Sequence, residues 1–81
     1  MTVLVVGADS SVVAAALEAL GDGDLFVLEP SAGLLEEVED EIADPRVWFM
    51  IGDADVIPLP DGCVDEIVGV ESSSETVRVT R

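Results

Sequence analysis

Three short apolar runs constrain this chain more than anything else in it: Thr2-Val3-Leu4-Val5-Val6, Leu25-Phe26-Val27-Leu28 and Val47-Trp48-Phe49-Met50-Ile51. Each is too short for a helix and lacks any alternation with polar residues. Each therefore reads as a strand buried on both faces, the signature of a parallel sheet. The segments between them have helical character. Asp9 or Ser10 caps a first helix whose body runs from Val12 to Leu20, and Gly21 closes it. Pro30 and Ser31 open a second helix, with Leu34, Leu35, Val38 and Ile42 on one face and Glu36, Glu37, Glu39, Asp40 and Glu41 on the other. Asp44-Pro45 ends it, because the residue before a proline is pushed out of the helical region. A loop rich in Asp and Pro then leads to a fourth run, Val64 to Val70.

Strand, helix, strand, helix, strand, loop, strand is an α/β winding, and 81 residues hold one such domain, spanning 1–81. Right-handed crossovers place both helices on one face of a Rossmann-like, mostly parallel sheet. The fourth strand returns beside the first, giving the order 3-2-1-4 with a switch point between strands 1 and 4. The second face is then short of cover, and Val3, Val5, Phe26, Trp48 or their neighbours are expected to be exposed on it beyond a normal monomer patch. A homodimer or a partner domain sealing that face is the expectation. The tail has two readings. Val77 and Val79 alternate with Thr76, Arg78 and Thr80, which favours an antiparallel C-terminal edge strand folded back on strand 4. The alternative is a helix capped by Ser74 with Glu75 in its first turn.

Charge narrows the partners. Eighteen Asp and Glu face three arginines, for a net charge of −15, while apolar residues still make up 49% of the chain. That much apolar content argues for a folded body, and that much negative charge repels nucleic acid and anionic membranes. No apolar run reaches the ~18 residues of a membrane span and no basic leader is visible, so a cytoplasmic protein is expected. The chain has no His, Lys, Tyr, Asn or Gln. General bases are confined to carboxylates, no Ser-His or Cys-His nucleophile can be assembled, and zinc lacks ligands. Cys63 is expected to pack rather than react.

The segments VLVVGADSS, LFVLEPS and GDADVIPLPDGCVDEIVGV, taken in that order, resemble the first half of class I S-adenosylmethionine-dependent methyltransferases. The resemblance covers about residues 2–72 and is most specific in the third segment. It implies S-adenosylmethionine as cofactor. Gly7, Ala8 and Asp9 would form the turn beneath it, and Asp9 either caps the helix or meets the cationic methionine end. Glu29 would accept from the ribose hydroxyls, with Pro30 against the adenine. Asp53 would accept from the adenine amino group, with the Ala54 N–H donating to the ring and Val70 edging the methionine part. The family's Gly-x-Gly-x-Gly is here Gly7-Ala8-Asp9-Ser10-Ser11, which puts a charged side chain where close approach is expected. The later strands and helices that build the family's acceptor pocket are not in the chain. Lacking Asn, it also cannot form the Asn-Pro-Pro-Tyr site of nucleic-acid amino methylation. A truncated cofactor-binding domain, weakly catalytic or inactive alone, is the leading expectation. The alternatives are a non-catalytic homodimerisation or interaction module that lost its ligand and, third, an NAD-type half-site.

Lys-free, acid-rich composition resembles that of proteins from salt-accumulating halophiles. In molar salt the Debye length is only about 3 Å, so the self-repulsion of the surface largely vanishes. Circular dichroism against KCl concentration should show folding that strengthens toward molar salt; full structure in low salt would contradict a halophilic setting.

Overall fold

β1 (Thr2–Val6), β2 (Asp24–Glu29), β3 (Val47–Ile51) and β4 (Glu66–Val68) form one parallel sheet in the order β3-β2-β1-β4. The computed structural model describes residues 1–69 and 74–81. The expected fold class and strand order are those observed. The fourth strand, expected from Val64, is limited to three residues. β1 lies at the centre, pairing with β2 on one side (Val5 opposite Val27) and β4 on the other (Val5 opposite Val68). The winding reverses there, which opens the crevice at the carboxyl ends of the strands where α/β folds take their ligands.

α1 (Ser10–Leu20) and α2 (Ala32–Glu41) cover the same face. Asp9 caps the first, and the Ser31 hydroxyl caps the second by accepting from the Leu34 N–H at 3.4 Å. Beneath the helices, Val3, Val5, Leu25, Val27 and Val47 make one apolar layer with Val13, Leu20, Leu35 and Val38. Val3 and Val5 are therefore buried under α1 and α2, not exposed on the far face as expected, because the pleat sends odd-numbered β1 side chains toward the helices. Leu34 also departs from expectation. It is 48% exposed, lying about 100° around the helix from buried Leu35.

The opposite face is covered by the chain's own C-terminal segment. Leu4 and Leu28, both fully buried, pack with Ile57 and Val64 of the long loop and with Val79 of α3 (Ser74–Val79). The tail is thus a helix, and the favoured edge strand is not formed. Thr76 and Val79, three residues apart, are both buried, and Glu75 pairs with Arg78 at the same spacing. Covering two leucines is worth roughly 1.5–3 kcal/mol each. An antiparallel strand at the sheet edge would have left Val79 beside β4 rather than over them. After the helix the chain runs parallel to the segment entering β4: Val64 N–H donates to Val79 O, and Arg81 N–H donates to Val64 O, both at 2.9 Å.

Cover on this second face stops short of the β3 side. Phe26 and Met50 are half-buried and Trp48 is 55% exposed. Cys63 is a free, half-buried thiol packed against the same layer, in keeping with its expected packing role. Among the described residues no helix is long and apolar enough to cross a membrane.

Candidate functional site

The carboxyl ends of the strands are stitched together around Glu29. Its side chain, 7% exposed, accepts from the Ala8 N–H through Oε1 at 2.9 Å and from the Ser31 N–H through Oε2 at 2.8 Å. The Glu29 carbonyl accepts from Gly52 N–H, and the Leu28 carbonyl from Gly7 N–H. One residue therefore ties the turn after β1, the turn after β2 and the exit of β3. An ionised carboxylate offers about four acceptor positions, so the two bonds leave two.

Gly7 has φ +104, a conformation that side chains resist, although a β-carbon there would meet nothing within 4 Å. The close backbone approach expected at this turn is found instead at Gly69. Its φ is +99, and a β-carbon would fall 2.5 Å from the Val6 carbonyl oxygen. Gly69 brings the end of β4 against the end of β1. A lone glycine between Val68 and Val70 was its only signal in the sequence.

Asp9 caps α1 just past the end of β1. Its Oδ1 accepts from the Ser11 hydroxyl at 2.6 Å and from the Ser11 and Val12 N–H groups at 3.0 and 3.4 Å. The hydroxyl bond first, then the two backbone bonds, hold its carboxyl below the usual aspartate range. It serves as the helix cap of the two roles expected for it, and its charge occupies the N-terminus of α1.

Asp53 and Ala54 lie in a tight turn just past β3. Asp53 Oδ1 accepts from Asp55 N–H at 2.8 Å and Val56 N–H at 3.1 Å, and residues 53 and 56 form an antiparallel bridge. The Asx turn and an exposed carboxylate coexist on this one side chain. Pro30, next to Glu29, is exposed. Gly7, Ala8, Glu29 and Pro30 are thus joined by direct bonds or sequence, with Asp9 and the Asp53–Ala54 turn flanking them. Val70 lies outside the described residues.

Three carboxylates, Asp9, Glu29 and Asp53, belong to this rim, and it includes no arginine. Among the described residues no cluster of three or more His, Cys, Asp or Glu is placed to hold a metal ion. Glu75 and Arg78 of α3 bond to the backbone of Ile57, just past the Asp53–Val56 turn. Opposite charges at i,i+3 in the tail were the available clue, but the valine alternation competed with it.

No protein-family model matches the chain, and no curated protein does. Solved structures match well. A chain assigned as a methyltransferase from Haloferax volcanii, in complex with the Trm112 methyltransferase activator, is 28% identical over 82% of this chain with a TM-score of 0.70. One from Methanococcus maripaludis assigned as S-adenosylmethionine-dependent is 22% identical over 99%, TM-score 0.79. A SAM-dependent methyltransferase from Aquifex aeolicus is 23% identical over 100%, TM-score 0.77. The chain spans only 30%, 43% and 51% of those three chains, respectively.

Proposed function

We propose, from the premise that this chain is a class I methyltransferase-like domain, that it binds S-adenosylmethionine at the carboxyl ends of β1, β2 and β3. One observation carries the choice of ligand. The N-terminus of α1, where a Rossmann-type site would take a pyrophosphate, has its Ser11 and Val12 N–H groups already bonded to the Asp9 carboxylate. A phosphate would displace that cap and meet its negative charge. S-adenosylmethionine carries no phosphate and is cationic at its sulfonium and amino groups, which suits a rim of Asp9, Glu29 and Asp53. Glu29 takes the ribose hydroxyls on its two remaining acceptor positions. Asp53 and the Ala54 N–H read the adenine edge, Pro30 lies against the ring, and Gly7 and Ala8 form the floor.

Bound S-adenosylmethionine supplies an activated methyl group, so the transfer asks for in-line placement of an acceptor more than for acid–base residues. This chain's own contribution is to hold the nucleoside and the methionine end. The acceptor surface comes from another chain or from further sequence, and the domain alone is weakly active or inactive. Titrating S-adenosylmethionine and, separately, NAD into the folded protein in molar KCl tests the assignment. Amide shifts at Gly7, Glu29 and Asp53 with the first ligand alone are expected. Shifts with NAD instead would favour the dinucleotide alternative, and silence with both would leave an interaction module.

The uncovered β3 side of the second face supports a partner, either a second copy or a different protein. An exposed tryptophan beside half-buried Phe26 and Met50 is an apolar area worth covering. The Haloferax volcanii relative, solved with an activator protein, fits this picture. Sedimentation at micromolar concentration in high salt should show a dimer for the isolated chain; a strict monomer would leave only the separate partner.

A further inference from the structure

The loop between β3 and β4 is held in part by α3. Pro58 and Pro60 have no N–H to donate, and each pushes the residue before it toward an extended conformation. The Leu59 N–H folds back onto the Ile57 carbonyl at 2.8 Å, closing a three-residue turn at Pro58. The Ile57 and Leu59 carbonyls flank that turn, and one guanidinium meets both.

Arg78 Nη2 donates to Ile57 O at 2.9 Å, and Nη1 donates to Leu59 O at 2.8 Å and to Asp61 Oδ1 at 2.7 Å. Its Nε and Nη2 reach Glu75 Oε2 and Oε1 at 2.6 and 3.1 Å. These five bonds equal the five N–H groups that an arginine has. Glu75 Oε1 in turn accepts from Ile57 N–H at 3.1 Å, so both backbone groups of Ile57 are gripped by the pair. Arg78's carbonyl also accepts from Gly62 N–H at 2.9 Å. The bond to Arg78 first, then the bond from Ile57, keep the Glu75 carboxyl below its usual range.

We propose that Arg78 is a positioning residue: with Glu75 it fixes the path of residues 57–61 and, through Ile57, the Asp53–Val56 turn that reads adenine. The adenine role rests on the cofactor-binding function proposed above; the mechanical role does not. Ile57 is 3% exposed and immediately follows that turn, so its backbone is the point through which α3 acts. Lysine, a single point charge with three donors, cannot replace the fork.

Two variants, Arg78→Lys and Arg78→Met, test this in molar KCl by amide hydrogen exchange and by titration with S-adenosylmethionine and adenosine. Exchange at Ile57, Leu59 and Gly62 should accelerate by about tenfold or more, with β1 and β2 protection unchanged. Affinity for adenosine and for S-adenosylmethionine should fall by the same factor, about tenfold for the methionine variant, with lysine restoring only part. Unchanged loop exchange in either folded variant would overturn the proposal. So would faster loop exchange with full affinity retained, or acceleration spread evenly over the sheet. If Arg78→Met does not fold, Arg78→Lys decides. If the unaltered protein binds neither ligand, the cofactor function fails, and loop exchange alone then decides whether Arg78 positions the loop.

Discussion

The Glu29 carboxylate accepts the N–H groups of Ala8 and Ser31, and much of the molecule is arranged around those two bonds. A parallel sheet leaves its carboxyl ends as loose turns, each with unpaired backbone donors. Here one buried side chain closes the turn after its own strand and the turn after its neighbour. Both bonds are only part-buried, so leaving either donor without a partner would cost at most roughly 1–3 kcal/mol. The same residue ends β2, at the carboxyl side of the sheet. The group that organises the fold at this end is thus also the one proposed to take a nucleoside's hydroxyls.

Charge sets the second constraint. With 18 carboxylates and three arginines, each cation matters, and each reaches a segment distant in the chain. Arg46 forms an ion pair with Asp44 at 2.8 Å and donates to the Gly21 carbonyl, joining the entry of β3 to the end of α1. The Arg46 bonds lower the Asp44 carboxyl to about 2, so their contribution is present above the ordinary carboxylate range and is lost only as pH falls through that value. Arg78 binds the proline loop, and Arg81 lies 3.5 Å from Asp65, whose other oxygen takes the Thr2 N–H at 2.7 Å.

The strands, the two capped helices and the order 3-2-1-4 were legible because their signals are local or topological. Val47-Trp48-Phe49-Met50-Ile51 is a strand by composition alone, and Asp9 and Ser31 announce their caps. The tail was misread for a physical reason. Val-Arg-Val-Thr carries a strand period, and nothing local says that Leu4 and Leu28 need Val79 over them. Val3 and Val5 were placed on the wrong face because two-sided apolar runs do not reveal which parity faces the helices. In the candidate site, Glu29 stood out as an acid closing an apolar run. Gly69 and Arg78 did not, since a close approach and a five-bond guanidinium are properties of residues far apart in the chain.

The most direct test of the central role of Glu29 is amide hydrogen exchange at Ala8 and Ser31 in Glu29→Gln. The amide side chain keeps one acceptor oxygen and sets an NH2 group against the other backbone donor, so only one of the two turns can stay closed. The account predicts faster exchange by about tenfold or more at one or both of these amides, with the β1–β2 ladder unchanged. Unchanged exchange at both would mean that the two turns hold themselves, and would contradict it.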